Sequence, residues 1–156
     1  MVMSNLVPLQ ADLTKEDLRL SILRGHENMF RVDKKLAPSV SLELGEWGCL
    51  SADGTVERPG ATPVANTFLI FCGTERYDVH ATGQVTMIMN SNVIAKTDRF
   101  AVGSYNVGDE LTVKDLGAGE AVLTIAASGE YVLARAVEVG SGYLVVDVAA
   151  MPMKKA

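Results

Sequence analysis

The last third of the chain shows the most regular alternation of apolar and polar positions. Residues 111–114 alternate between a leucine or valine and a polar residue, which is the period of a strand with one buried face. Further strands are predicted at residues 121–126, 131–139 and 143–149, separated by glycine-containing turns. Strands that recur about every ten residues without helical segments between them predict an antiparallel sandwich or barrel and argue against a parallel-sheet enzyme fold.

Residues 41–97 continue this pattern with shorter segments. Strands are predicted at residues 64–72, 85–89 and 93–97, and Asp53-Gly54 marks a tight turn. No strict internal repeat is visible in the sequence. The residues expected to be largely buried are Val85, Leu111, Val113, Leu123, Ile125, Leu144 and Val146.

The first forty residues lack this strand pattern. Thr14 is a candidate N-cap with Asp17 at the capping-box position, and Gly25 is a candidate C-terminal stop, so a short helix is predicted between them. Residues 25–38 are interpreted as an extended segment with isolated apolar anchors. The predicted organisation is an N-terminal arm at 1–40 with one short helix, a compact antiparallel β-barrel or sandwich (jelly-roll-like) at 41–150, and a short basic tail at 151–156.

Composition and charge predict a soluble protein. Apolar residues make up 48% of the 156 residues, and no apolar run approaches the ~20 residues that span a bilayer. The first residues show no signal-peptide pattern, so synthesis in a cytoplasm and no membrane contact are expected. The net charge is −5, with −8 on residues 41–150, +1 on residues 1–40 and +2 on the tail. Because an acidic body repels phosphate, nucleic-acid binding is not expected.

The chain offers few candidates for catalysis or metal binding. Its two histidines, His26 and His80, and its two cysteines, Cys49 and Cys72, lack the close paired spacing of zinc ligands. Both cysteines are expected to be free, buried thiols. The adjacent acids at 109–110 point to opposite faces of a strand, so they do not form an acid–base pair. No catalytic residue, metal ligand or cofactor is predicted, and the chain is not expected to be an enzyme.

Several phrases between residues 99 and 149 carry a resemblance to a known family. They are Arg99-Phe100, Tyr105-Asn106-Val107-Gly108-Asp109-Glu110-Leu111-Thr112-Val113, residues 129–139 and residues 143–148. These phrases resemble the small head-decoration, or cement, proteins of tailed bacteriophages. Gly45-Glu46-Trp47 and residues 73–79 have the same style.

The resemblance implies a β-rich, non-enzymatic protein that lies on the outside of an icosahedral head and bridges neighbouring major-capsid subunits. It implies the major capsid protein as partner, a homo-oligomer of two or three copies, and a virion location after synthesis in the host bacterium. A clamp of this kind gains affinity from several simultaneous contacts, by a factor on the order of 10²–10⁴.

The arm and two other functions remain open from the sequence. The arm is predicted to grip a capsid subunit or a sister copy through Leu18, Ile22, Met29 and Phe30, or else to fold back on its own β domain. One alternative function is a stand-alone β-barrel module that binds a carbohydrate or small ligand through Trp47 and the tyrosines. The other is a different minor structural protein of a virion.

Overall fold

A computed structural model describes residues 20–25, 29–72, 83–89, 92–117 and 120–156. These residues form eleven strands and no helix. The strands are β1 Ser21–Arg24, β2 Arg31–Lys35, β3 Trp47–Leu50, β4 Val56–Glu57, β5 Thr67–Cys72, β6 Gln84–Ile88, β7 Val93–Thr97, β8 Glu110–Asp115, β9 Ala121–Ile125, β10 Tyr131–Gly140 and β11 Tyr143–Lys154.

The strands form two antiparallel sheets. The six-stranded sheet has the order β1-β7-β11-β10-β8-β9, and the five-stranded sheet has the order β2-β6-β5-β3-β4. Each sheet curls until its ends approach, and single parallel bridges join Leu36 to Val56 and Phe100 to Leu123. One bridge is not a ladder, so neither sheet closes in the described part of the chain. The mostly-β antiparallel prediction is confirmed, and the closed barrel is wrong.

The two sheets contain the same five-strand topology twice. Raising each strand number in β2-β6-β5-β3-β4 by five gives β7-β11-β10-β8-β9, which is the six-stranded sheet without β1. We call β2–β6 the first unit and β7–β11 the second unit. In each unit the segment that follows the first strand makes the parallel bridge to the third strand. The structure therefore contains a repeat that the sequence does not display.

The repeat extends to the register of the ladders. Where β5 pairs with β6, the register shifts between Ile70 and Cys72; where β10 pairs with β11, it shifts between Ala136 and Glu138. The two bulges occupy the same place in the two units, and a bulge re-aims the strand that carries it. The units can therefore be compared residue by residue.

A glycine turn before the second strand of each unit is equivalent as well. Gly45 and Gly108 have φ values of 85° and 95°, a region that favours glycine because a Cβ is disfavoured there. The Gly45 N–H donates to Ile70 O at 2.9 Å, and the Gly108 N–H donates to Ala136 O at 2.7 Å. Each turn thereby fixes the entry of its strand onto the neighbouring strand.

At equivalent interior positions, a small residue in one unit corresponds to a large residue in the other. Gly48 in the first unit corresponds to Leu111 in the second, and Ile70 corresponds to Ala136. A Cβ on Gly48 would lie 2.5 Å from Val56 Cγ1, so the first unit has no room for a side chain there. The second unit places its large side chain on the other strand. Close packing of this kind tolerates a change of position but not a change of total volume.

We expect Gly48→Ala to destabilise the protein by about 1–3 kcal/mol because the added methyl overpacks the first unit. Val56→Ala removes the nearest atoms and leaves a cavity of its own. The double variant should therefore lose less stability than the sum of the two single changes. Urea unfolding of the three variants measures this coupling. Additive losses would show that Gly48 does not meet Val56.

The outer face of the first unit is covered by the second unit. Trp47, Leu69 and Ile88 are 2%, 2% and 3% exposed and belong to the core of the six-stranded sheet. They line a cavity of about 10 Å3, and the second unit contributes Leu133, Val148, Ala149 and Pro152. That volume is about one water position. The two units are therefore packed against each other through an almost solid apolar contact.

The equivalent face of the second unit is charged. Glu110, Arg135 and Asp147 occupy the positions that Trp47, Leu69 and Ile88 occupy in the first unit. Arg135 pairs with Glu110 at 3.5 Å, and both side chains retain solvent exposure. The contact between the units is therefore head-to-tail, and the face that would continue the stack carries an ion pair.

Most of the predicted core residues are buried. Val85, Leu111, Val113 and Leu123 are 0% exposed, and Leu144 and Val146 are 1% exposed. Ile125 is 43% exposed, so its predicted burial is wrong. It is the last residue of β9, which lies at the edge of its sheet.

The predicted N-terminal helix is not observed where the structure describes the chain. Ser21–Arg24, its last turn, form β1 and pair with β7, while residues 14–19 lie outside the described residues. Pairing with β7 satisfies backbone groups that a three-turn helix would leave to water at its ends. Residues 20–25 and 29–40 do not stand away from the β domain, because β1 and β2 are strands of the two sheets.

The carboxylate of Glu130 holds the β9–β10 turn. The Lys114 ammonium donates to Glu130 Oε2 at 2.8 Å, and the Ala127 N–H donates to Oε1 at 2.8 Å. The Lys114 contact, followed by the Ala127 hydrogen bond, lowers the pKa of Glu130 below its usual value. Its contribution to stability is therefore present above the unfolded pKa of about 4.3 and is lost as the pH falls through the folded value.

We expect Glu130→Gln to lower the melting temperature at neutral pH. The difference from the unaltered protein should shrink as the pH falls from about 5 towards 3, because the native carboxylate is then protonated as well. Glu57→Gln, at an exposed position of β4, is the control and should change little at any pH. Thermal melts at several pH values test this, and a constant difference across the range would contradict it.

Candidate partner-binding surface

The predicted partner-binding residues do not share one surface. Ile22 lies in β1 opposite Ala95 and packs, half-buried, against the core of the six-stranded sheet. Met29 packs against the same core, whereas Phe30 is 57% exposed. Leu18 lies outside the described residues. Of the described members, Phe30 alone presents a large apolar surface to solvent.

A loop of the second unit, residues 101–109, presents two further apolar side chains. Val102 is fully exposed and Val107 is 68% exposed. Tyr105 fixes the loop through two contacts. Its hydroxyl donates to Ala101 O at 2.6 Å, and its ring packs edge-on against Phe100 with the ring centroids 5.5 Å apart. Burial raises the pKa of Tyr105, which keeps its hydroxyl protonated as a donor. The exposed valines are therefore carried on a fixed loop.

The turn that ends this loop and the equivalent turn of the first unit each contain an acidic residue that accepts a backbone hydrogen bond. The Asn106 N–H donates to Asp109 Oδ2 at 2.8 Å, and the Glu43 N–H donates to Glu46 Oε1 at 2.7 Å. These are the same turn in the two units, since Gly108 and Gly45 precede the two acids. The carboxylates accept a local backbone hydrogen bond, which is a structural role. The turn signal was visible in the sequence, but its equivalence in the two units was not.

One partly buried arginine, Arg99, joins the two units beside these turns. Arg99 donates to Glu120 Oε1 at 2.6 Å and to Glu43 Oε2 at 3.3 Å. Its side chain is 14% exposed, while the two carboxylates are 44–45% exposed. Glu120 belongs to the second unit and Glu43 to the first, so this arginine, two residues before the 101–109 loop, joins the two units. This arrangement fixes the position of the loop relative to the first unit.

The described residues hold little reactive chemistry. Cys49 is a free, half-buried thiol whose pKa is raised by burial, and its Sγ lies 3.3 Å from Thr67 Oγ1. His26, His80 and the side chain of Cys72 lie outside the described part of the chain. Among the residues that are described, no group of three or more His, Cys, Asp or Glu side chains is placed to hold a metal ion. Nor do these residues contain a helix long and apolar enough to cross a bilayer.

The positions of the aromatic residues are relevant to carbohydrate binding, one of the alternative functions. Trp47 is 2% exposed between the two units, so its ring is not presented to a sugar. Tyr131 and Tyr143 lie under the ammonium groups of Lys154 and Lys96, and Tyr105 supports the 101–109 loop. These positions do not form an open aromatic platform within the described residues.

No family model, curated protein or solved structure matches this chain.

Proposed function

We propose that this chain is a capsid decoration protein that binds the outside of a tailed-phage head and bridges neighbouring major-capsid subunits. The observation that carries the proposal is the placement of the resembling phrases. Residues 99–149 fall within the second unit, and Gly45-Glu46-Trp47 forms the turn in the first unit that corresponds to Gly108-Asp109-Glu110. The described phrases that resemble cement proteins therefore lie in the second unit and at the equivalent turn of the first, whereas residues 73–79 lie outside the described residues.

A sandwich-like block of two packed units suits a bridging role. Bridging requires a rigid body with more than one contact surface and no reactive group. The solid contact around Trp47 supplies rigidity, and the 101–109 loop of the second unit and Phe30 of the first unit present apolar contact surface. In this proposal the partner is the major capsid protein, the location is the capsid exterior, and no cofactor is required.

Co-sedimentation with purified heads that lack the protein tests the proposal. We expect saturable binding at a fixed ratio to assembled heads and little binding to unassembled capsid subunits, since bridging requires two neighbours. Val102→Asp should weaken binding on the order of tenfold or more without changing the melting temperature. Val64→Asp, at a side chain that is 37% exposed, is the matched control and should bind normally. Absence of binding to heads would refute decoration.

A further inference from the structure

Along β2, every second residue directs its backbone N–H and C=O groups towards β6, and the residues between them direct theirs outward. The Leu36 N–H donates to Gly83 O, and the Met89 N–H donates to Phe30 O, both at 2.8 Å. Backbone groups alternate in direction along an antiparallel strand, so Phe30, Val32, Lys34 and Leu36 direct theirs towards β6. The backbone groups of Arg31 and Asp33 therefore point away from β6 along the open edge, whereas the outward side of Lys35 faces Val56 of β4 at the Leu36–Val56 bridge. Strand β2 is the terminal strand of the five-stranded sheet.

The corresponding edge of the second unit is covered by another strand. Strand β7 occupies in the second unit the place that β2 occupies in the first, and β1 pairs along its outer side. Ile22 lies opposite Ala95, and Ser21 lies opposite Lys96. By register, Ala95 corresponds to Val32 and Lys96 to Asp33. The fold thus shows how a four-residue strand attaches to this type of edge.

Equivalent residues of β7 and β2 differ in their exposed fraction. Under β1, the inward-facing residues Val93, Ala95 and Thr97 are 1%, 0% and 3% exposed. Their counterparts on β2 are Phe30, which is 57% exposed, and Val32 and Lys34, which are both partly exposed. Each residue of the β2 row is also larger than its counterpart, so greater size and the lack of a pairing strand act together. Among the described residues, no strand of the first unit occupies the position that β1 has in the second unit.

We propose that the β2 edge accepts an extended segment of a partner polypeptide in the register that β1 adopts on β7. The segment would place an aliphatic side chain opposite Val32, as β1 places Ile22 opposite Ala95. Main-chain hydrogen bonds to an exposed edge supply affinity in this mode of recognition, and alternate side chains supply specificity. The identity of the partner as a capsid subunit rests on the proposed function.

Charge defines the second requirement for the segment. Strand β2 carries Arg31, Lys34 and Lys35, and its one acid, Asp33, accepts the Thr86 hydroxyl at 2.6 Å. In β1 the residue opposite the counterpart of Arg31 is Arg24. An acidic residue at that position would oppose Arg31 and would be favoured across the strand pair. The expected ligand is therefore aliphatic opposite Val32 and acidic opposite Arg31.

Basic residues also protect sheet edges from unwanted pairing. That role alone does not account for β2, because β7 carries Lys96 at the equivalent edge and is paired with β1 all the same. Edge protection and pairing with a second copy of the chain are the outcomes that the experiment separates from the proposal.

The test uses the full chain, labelled for amide-resolved NMR, and a synthetic peptide of residues 18–25 in which Arg24 is replaced by glutamate. In the isolated protein, the amides of Ile94 and Lys96 should exchange slowly and those of Arg31 and Asp33 quickly. The peptide should slow exchange at these two β2 amides. The peptide with the native arginine should bind on the order of tenfold more weakly, because it opposes Arg31 with a like charge.

Two variants separate edge pairing from adventitious peptide binding. Asp33→Pro removes one outward N–H without removing a donor to β6, and Phe30→Ser removes apolar surface while keeping every amide. Each should weaken peptide binding about tenfold. Phe30→Ser should melt nearly as the unaltered protein does, whereas Asp33→Pro also loses the hydrogen bond from the Thr86 hydroxyl. Leu116→Ser, at a side chain of the second unit that is 54% exposed, is the control. If Asp33→Pro does not fold, Phe30→Ser still decides.

Several results would overturn the proposal. Slow exchange of the Arg31 and Asp33 amides in the dilute isolated protein would mean that the chain covers this edge itself. Protection that appears only with rising protein concentration would assign the edge to a second copy. Peptide-induced changes confined to other strands would also refute it.

The proposed function can fail independently. Heads that bind Phe30→Ser and Asp33→Pro as tightly as the unaltered protein would leave decoration intact and refute the role of the edge. Peptide binding at β2 without binding to heads would support the role of the edge and refute decoration.

Discussion

We expect Trp47→Ala to lower the free energy of unfolding by about 3–5 kcal/mol, the usual cost of truncating a buried large aromatic side chain. Trp47 is 2% exposed and lies where the two units meet, with Leu133 and Pro152 of the second unit across a nearly filled gap. Removing the indole opens a cavity that the two sheets cannot close without moving relative to each other. Chemical denaturation measures the loss directly.

The same contact can be observed without removing the indole. Trp47 is the only tryptophan in the sequence, so its fluorescence reports on this contact alone. Leu133→Ala should destabilise the protein by about 2–5 kcal/mol and shift the emission towards longer wavelength as water approaches the ring. Trp47→Phe should cost much less than Trp47→Ala. A loss below about 1 kcal/mol for Trp47→Ala would contradict the packing of the two units described above.

The second large effect is expected in β1. Ile22→Asp should destabilise the protein by about 2–3 kcal/mol, because it places a carboxylate among the residues that cover Ala95 and removes apolar burial. Its neighbour Leu23 is 47% exposed and points to the other side of the strand. Leu23→Asp is therefore the matched control and should change stability by less than about 0.5 kcal/mol.

Hydrogen exchange locates the effect of Ile22→Asp. Loss of β1 should release the amides of Ile94 and Lys96, whose outward backbone groups pair with this strand. The rest of the second unit should stay protected, because its other strands form their own ladder. Equal destabilisation by Ile22→Asp and Leu23→Asp would show that β1 does not pack on β7 as described.

The sequence predicted the strands of the second unit well because each has one buried face. The predicted strand at residues 93–97 is β7 itself, and residues 131–139 and 143–149 lie within β10 and β11. In these strands apolar side chains recur on the inner face, and glycine marks the turns. The prediction that Ile125 is buried is wrong, because alternation predicts which face a residue points to but not where the core ends.

The N-terminal strands were harder to recognise. Leu18 and Ile22 are four residues apart and follow a good capping pattern, so local sequence favoured a helix. The described part, Ser21–Arg24, is a strand because β7 offers a partner edge that lies seventy or more residues further along the chain. Tertiary pairing of this kind overrides local propensity and cannot be read from spacing.

The internal repeat was invisible in the sequence for a physical reason. Equivalent positions face different surroundings, so the row that is Trp47, Leu69 and Ile88 in one unit is Glu110, Arg135 and Asp147 in the other. Interior volume is also redistributed between strands. What the two units share is glycine geometry, bulge position and hydrogen bonds, and these require few fixed residue types. The same change of surroundings hid the uncovered edge of β2, since only comparison with β7 reveals it.

The most direct test of the central claim, that the chain decorates a capsid, is an electron cryomicroscopy reconstruction of heads with and without the protein. We expect added density on the outer surface at one fixed set of lattice positions, with two joined β lobes per chain, each contacting a different capsid subunit. Heads that carry no such density at saturating protein, or density only on the inner surface or the tail, would contradict the account.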